Sequence, residues 1–508
     1  MTAIGRTAAL LAGALAVLPA LAAAPARAQT SPIAPRVSCE ALAGLDLSAE
    51  LGVPARVEAA AVQAEGRPAP VCHLRGTIRG TIGFEAWLPL ERWTGRYLQI
   101  GCGGLCGRVS TEPPQAHGCV PFERGEFAMA ATDMGHRDPS AASWGGDPER
   151  RLDFAHRAQH LTARAVKLLI ARFYGEGPRR SYFSGCSDGG REGLLEALLH
   201  PEDFDGIAAG APALDWTAQN TFHHAWTVQR NRRADGSAAL TADRLPVLHR
   251  LVLAACGGAE GGVVADPLRC GFGPMRAVCA PGADPGTCLT AEEGRAAVAI
   301  YDGPRTAAGE RLTAGGLLPG SEANWAATVA PGDAATPPRA RLFATGVLRH
   351  LAFTPGAADT PAPEVLAFDA VTLARLADSQ RLYDATSTDL AAFFARSGRL
   401  LLWHGLADQD ITPRTTLAWW HALRRDQGAA RVEVAARLFL VPGLAHCRGG
   451  AGSLTAFDTL TPLLRWVEEG VAPDSLAGGR VEPTGDAAPE PLLGAERFGP
   501  RRQHAPGG

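Results

Sequence analysis

The stretch YFSGCSDGGREG, residues 182–193, carries the first residues able to do chemistry. Gly185-Cys186-Ser187-Asp188-Gly189 fits G-x-S-x-G and lies between a strand-like run, RSYFSG (180–185), and a helix-like run, REGLLEALLHP (191–201). In such a turn a serine is held with its hydroxyl exposed, and only glycine fits two positions to either side. A glycine-rich strand-to-helix turn also suits a phosphate, but the residues match neither G-x-x-x-x-G-K-[ST] nor G-x-G-x-x-G. A serine nucleophile needs a base within hydrogen-bond reach and a carboxylate that fixes the base's tautomer. Asp408 follows the strand-like LLLWHG, and His446 follows RLFLVPG. Asp410 competes for the acid position and His404 for the base, and either aspartate could instead cap the helix starting near Pro413.

Cys186 directly precedes the serine, and Cys447 directly follows the histidine. A cystine keeps its Cα atoms roughly 5.5–6 Å apart, so a Cys186–Cys447 bond would force Ser187 and His446 into one small volume. It would also close a loop of about 260 residues, worth roughly 5 kcal/mol by chain entropy. The alternative is that either cysteine is a buried free thiol.

The elements that must position these residues alternate. Strand-like runs at 82–90, 96–101, 127–133, 180–185 and 204–214 are interleaved with a helical pattern over 152–175, whose apolar positions Phe154, Ala158, Leu161, Ala165 and Leu168 recur at helical spacing. This order predicts an α/β fold with a mostly parallel sheet. From about 215 to 385 strand-like runs thin out, Gly, Pro and Ala increase, and the pattern of an inserted lid domain emerges; strands resume at 398–405 and 436–447. The core is therefore expected in two parts, 29–214 and 386–495, with a disordered tail at 496–508. Residues up to about Gly80 read as loop-rich, pinned by Cys39 and Cys72, and beyond Arg465 the chain reads as Pro- and Gly-rich.

Residues 1–28 show one arginine, an apolar run and an A-x-A ending, the pattern of a signal peptide cleaved after Ala28. The expected location is periplasmic or secreted, where cysteines form disulfides. There are 11 cysteines and no paired C-x-x-C knuckles, so a zinc site is not expected; the odd count leaves an unpaired thiol, expected among Cys102, Cys106 and Cys119. Of the 508 residues 46% are hydrophobic and 20% charged, with net charge -3 and no run of Lys or Arg, which argues against nucleic acid as a partner. No later segment has the roughly 18 apolar residues of a membrane span.

Together these motifs resemble the tannase and feruloyl esterase family of serine hydrolases. Its hallmark is a C-S-D-H-C arrangement, met here by Cys186, Ser187, Asp408, His446 and Cys447, with further similarity in ATDMGH (131–136), PEDFDGIAAGAPA (201–213) and LLLWHGLAD (400–408). The resemblance implies an α/β-hydrolase fold with a large lid and Asp408, four residues after His404, as the acid. It further implies a serine carboxylic ester hydrolase working through an acyl-enzyme on small-molecule esters of aromatic acids: gallates, hydroxycinnamates or terephthalate half-esters. An oxyanion hole is expected from the Asp188 N–H and from Gly103 or Gly104 in GCGGLCG. Activity should be lost as pH falls below about 6–6.5, where histidine protonates.

One departure concerns the family's calcium loop in the lid, C-D-x-x-D-G-x-x-D-G. This chain has CGGAEGGVVADPLRC (256–270), with Gly257 and Glu260 at the first two aspartate positions and only Asp266 besides. Calcium takes about six to eight oxygen ligands, so neither metal nor other cofactor is expected, and disulfides Cys256–Cys270 and Cys279–Cys288 would order the lid. Trp325 and Phe353 could stack on an aromatic acyl group, and Arg339 or Arg341 could meet a carboxylate, although packing or a solvated surface accounts for each. A non-catalytic polyphenol- or carbohydrate-binding protein is the remaining alternative.

Overall fold

Nine strands build the main sheet: β1 (Ala55–Gln63), β2 (Val71–Ile78), β3 (Ile82–Pro89), β4 (Arg96–Ile100), β5 (Phe127–Thr132), β6 (Arg180–Cys186), β7 (Gly206–Gly210), β8 (Arg399–Gly405) and β9 (Ala436–Val441). The structure, a computed structural model, describes residues 31–139, 142–258, 261–353, 359–451, 454–479 and 490–493. The expected signal segment, the expected tail and Glu260 lie outside the described residues. From Pro32 onward they belong to one compact unit.

The strands form one sheet in the order β1-β2-β3-β5-β4-β6-β7-β8-β9. Neighbours are antiparallel from β1 through β5, and parallel from there to β9. Parallel strands are covered on both faces, which is why β5, FAMAAT, and β7, GIAAG, are buried at every position. Helices α1 (Ala158–Tyr174) and α2 (Asp188–Leu199) follow β5 and β6.

β1 and β2 correct the loop-rich reading of the segment before Gly80. β1 is an edge strand with exposed positions and a run of alanines, Ala59 to Ala61, while β2 contains Arg75 and Gly76. Neither has the dense β-branched and aromatic content that marks a strand in sequence. A disulfide from Cys39 to Cys72 ties β2 to the turn before β1. The Pro- and Gly-rich reading beyond Arg465 is also incomplete. Helix Leu460–Glu469 extends past it, and β11 (Ser475–Gly479) pairs with β10 (Ala456–Phe457) and β12 (Glu490–Leu493) in a small antiparallel sheet.

Between β7 and β8 the described residues form helices and isolated bridges but no extended strand. The first part has its own apolar cluster, including Leu248, Val252, Leu289, Ile300, Trp325 and Val329. Val347, Leu348, Leu351 and Tyr383 instead join the main core. Disulfides Cys256–Cys270 and Cys279–Cys288 staple the first part. Trp325 is fully buried and donates its indole N–H to Ser321 Oγ, and Phe353 lies buried beneath the Arg375 guanidinium, so both serve packing. Among the described residues no helix is long and apolar enough to cross a membrane.

Candidate active site

Ser187 occupies the turn from β6 into α2 with φ 66° and ψ -121°, a backbone state that L-residues rarely adopt. Its N–H donates to Gly210 O at 3.0 Å, and its carbonyl accepts from the N–H groups of Arg191 and Ala213, both at 3.1 Å. The glycines have a steric cause. A Cβ at Gly185 would lie 2.3 Å from Gly189 O, and one at Gly189 would lie 2.7 Å from Cys102 O. Asp188 is the first residue of α2, so its N–H has no acceptor within the helix.

Asp408, after β8, is fully buried. Its Oδ1 accepts from the N–H groups of Asp410 (2.8 Å) and Ile411 (2.9 Å), and its Oδ2 lies 2.8 Å from His446 Nδ1 and 3.3 Å from His404 Nε2. Burial alone would raise this carboxyl, but the charge of His446 and hydrogen bonds from both histidines outweigh it and hold Asp408 well below the usual carboxylate range. Burial likewise pulls the His446 imidazole down, yet the charge of Asp408 and the hydrogen bond to it push it up to about 9. Of the two rivals, Asp410 turns its carboxylate to Arg339 Nη2, 3.3 and 3.4 Å away, and His404 is fully buried between Thr416 Oγ1 and Ile411 O.

Cys186 and Cys447 are bonded, with Cα atoms 5.9 Å apart, and His446 Nε2 lies 3.7 Å from Cys447 Sγ. Cys447 adopts φ 62°. The turn is held on both sides by glutamines that the sequence did not single out. Gln409 Oε1 accepts the His446 N–H at 3.1 Å, and Gln115 Nε2 donates to Cys447 O at 2.9 Å.

The loop after β4 abuts the start of α2 through the Cys102 O–Gly189 contact. It is closed by a Cys102–Cys106 disulfide and by a Cys106 N–H to Gly103 O hydrogen bond of 3.1 Å, leaving Gly103 and Gly104 exposed. Cys119 is the free thiol, buried and pushed up by burial to about 11.

Two groups of metal-type side chains converge among the described residues, Cys102/Cys106/Asp188/Glu192 and His160/Glu196/Asp203. The sulfurs of the first are tied up in the disulfide, and Asp203 in the second already faces His160 at 2.6 Å and Lys167 at 3.4 Å. In the loop between Cys256 and Cys270, Asp266 pairs with Arg269 at 3.5 Å.

The mixed sheet, parallel from β5 to β9 in its strand order, the strained serine turn and the aspartate–histidine pair at the strands' C-terminal ends define an α/β-hydrolase fold. The sequence profile "Tannase and feruloyl esterase" matches residues 67–491. An uncharacterised esterase of Xanthomonas campestris pv. campestris is 31% identical, with 84% of this chain and 80% of that protein covered. The mono(2-hydroxyethyl) terephthalate hydrolase of Piscinibacter sakaiensis is 30% identical, with 88% and 85% covered. A crystal structure of an esterase from Aspergillus oryzae, 24% identical, superposes with TM-score 0.76 over 90% of this chain and 96% of that one. The chain belongs to the tannase and feruloyl esterase family and is a carboxylic ester hydrolase.

The disulfide ties the turn of His446 to the turn of Ser187, and removing it with Cys186→Ser/Cys447→Ser should lower kcat/KM by about 100-fold, the effect of roughly 1 Å of misplacement. Steady-state kinetics at 25 °C on protein shown folded by circular dichroism measures it, and a double variant with full activity would exclude the tether's role.

Proposed function

We propose that the protein is an exported serine esterase that cleaves esters of aromatic acids through an acyl-enzyme. The reading rests on one observation above all, the 2.8 Å contact of buried Asp408 with His446, carried by a turn disulfide-bonded to the residue before Ser187. In this mechanism His446 Nε2 takes the Ser187 hydroxyl proton as Oγ attacks the ester carbonyl. Asp408 fixes the tautomer and stabilises the imidazolium. N–H groups of Asp188 and of Gly103 or Gly104 meet the oxyanion. Collapse expels the alcohol, which takes the proton from His446; water, deprotonated by the same imidazole, then releases the acid. The helical insertion 215–385 serves as a lid supplying the acyl pocket. Five disulfides support export to an oxidising compartment.

The family name and the terephthalate hydrolase relative support an aromatic acyl group. Within that class, the two arginines considered for a substrate carboxylate already have acidic partners: Arg339 faces Asp410 and Arg341 pairs with Glu364. A neutral acyl group such as a gallate or hydroxycinnamate fits this arrangement better than a charged terephthalate half-ester.

In an acid-release assay, methyl ferulate or methyl gallate should turn over faster than the terephthalate half-ester; a fluorophosphonate probe should label the wild type and not Ser187→Ala. Labelling that persists in the variant, or no hydrolysis of any ester, sinks the proposal. For pH, a raised imidazole stays protonated further up the scale, so base catalysis is lost as pH falls through that raised value. The acid limb of kcat/KM should therefore lie above the ordinary 6.5, toward 9, rather than at the 6–6.5 expected from an isolated histidine. Asp408→Asn should move the limb down and lower kcat by about 10⁴-fold; a wild-type limb at or below the ordinary value would show that the pair does not act as the base. Finally, purified protein should contain no stoichiometric calcium by elemental analysis; one ion per chain would overturn the proposed loss of the lid site.

A further inference from the structure

A chain of buried polar side chains runs through the core and ends on the loop after β4. Tyr97 O–H donates to Gln99 Oε1, Gln99 Nε2 to Gln159 Oε1, and Gln159 Nε2 to Glu192 Oε2, each at 2.5 Å. The Cys102 N–H donates to the same Glu192 oxygen at 3.1 Å. None of these four side chains is more than 2% exposed. Apolar residues would fill the same space without the desolvation penalty of four polar groups, so the position where the chain ends needs an explanation.

Glu192 stands one helical turn after Asp188 on α2, and its Oε1 lies 2.8 Å from Cys102 Sγ and 3.3 Å from Cys106 Sγ, against the disulfide that closes the loop. Its carboxyl thus touches the loop with Gly103 and Gly104, and its backbone belongs to the helix whose first residue, Asp188, carries the other candidate donor N–H. Because the Cys102 N–H is already committed to Glu192, the loop's donor must come from further along, at Gly103 or Gly104.

We propose that Glu192 is the positioning residue of the oxyanion hole, holding the glycine loop and the start of α2 in one fixed register. This rests on the reading of Ser187 as nucleophile. Burial first pushes the Glu192 carboxyl well above its ordinary range against the pull of Arg191, and so, next, does the Asp188 carboxylate. That carboxylate is anchored in turn by Arg191, which is fully buried, at 2.7 and 3.0 Å. Glutamine has the shape of glutamate, and its oxygen can still accept from the Cys102 N–H.

The test compares Glu192→Ala, Glu192→Gln and Gln159→Ala with the wild type, on whichever methyl ester the wild type cleaves best. It adds an aryl trifluoromethyl ketone, whose hemiketal with a serine carries an oxyanion, and the product acid as a ground-state ligand. With Glu192→Ala, kcat and ketone affinity should each fall by about 100-fold, as on loss of one oxyanion donor, while KM and product inhibition change by less than about threefold. Glu192→Gln should restore kcat to within about tenfold of wild type. Gln159→Ala removes the next link and should give the same split in smaller size, which keeps the test available if the alanine variant at 192 does not fold. A lowered melting temperature with kcat and ketone affinity unchanged in Glu192→Ala or Gln159→Ala, or equal losses for ketone and product, would assign these residues to stability alone and overturn the proposal. A wild type inert toward every ester, or one whose activity survives Ser187→Ala, refutes the underlying esterase reading instead, so the two failures are told apart.

Discussion

The disulfide between Cys186 and Cys447 is the constraint on which the candidate site depends. Strands β6 and β9 are separated in the sheet by β7 and β8, a gap of about 14 Å at the usual strand spacing. The two cysteine Cα atoms are nonetheless 5.9 Å apart. The segment after β9 must therefore cross back over the ends of two strands, against its own tendency to leave along the strand direction. Both ends of the crossing are strained, since Ser187 and Cys447 each have φ above 60°. Non-glycine residues hold such conformations only where their surroundings dictate them. Gly210 O and the Ala213 N–H hold the serine end, and Gln115 and Gln409 hold the other. A covalent bond with a sequence separation of 261 residues then makes the two ends one local unit.

What was legible in the sequence is what has a short-range cause. Gly185 and Gly189 announce the serine turn because any Cβ there collides with backbone a few residues away. The adjacency of Cys186 to Ser187 and of Cys447 to His446 announces the tether because the bond geometry is fixed. The parallel strands β5 to β9 announce themselves because burial on both faces demands unbroken apolar runs. β1 and β2 escaped notice because an edge strand and its neighbour near a solvated rim tolerate Ala, Arg and Gly.

The supporting polar residues escaped for a different reason. Gln115, Gln409, Gln159 and Glu192 lie in unrelated parts of the chain, and a glutamine in an amphipathic pattern reads as surface. Gln159 belongs to a helix whose apolar spacing is clear, yet it is 1% exposed. Only the fold shows that its amide points inward at Glu192. The partner of a buried polar group is set by packing across elements, which no local pattern encodes. The same holds for the cysteines of the glycine loop: their number implied an odd thiol, but the choice of Cys119 followed from which sulfurs the loop brought together.

Electrostatics divides the residues after β8 into two roles that their similarity in sequence conceals. Asp408 and Asp410 are separated by a single residue, and both carboxylates raise His446. Asp408 is fully buried, and its charge is tolerable because two backbone N–H groups and two imidazoles surround it. One of those N–H groups belongs to Asp410 itself, so the second aspartate helps to solvate the first through its backbone. Its side chain is then free to face outward, where half-exposed Arg339 meets it. Arg339 and Asp410 oppose each other's charge, while the interior keeps one carboxylate against the imidazoles of His446 and His404. In the proposed reaction the buried Asp408 carboxylate meets the positive charge that develops on His446 as it takes the serine proton, while the outward pair of Asp410 and Arg339 adds little to that field.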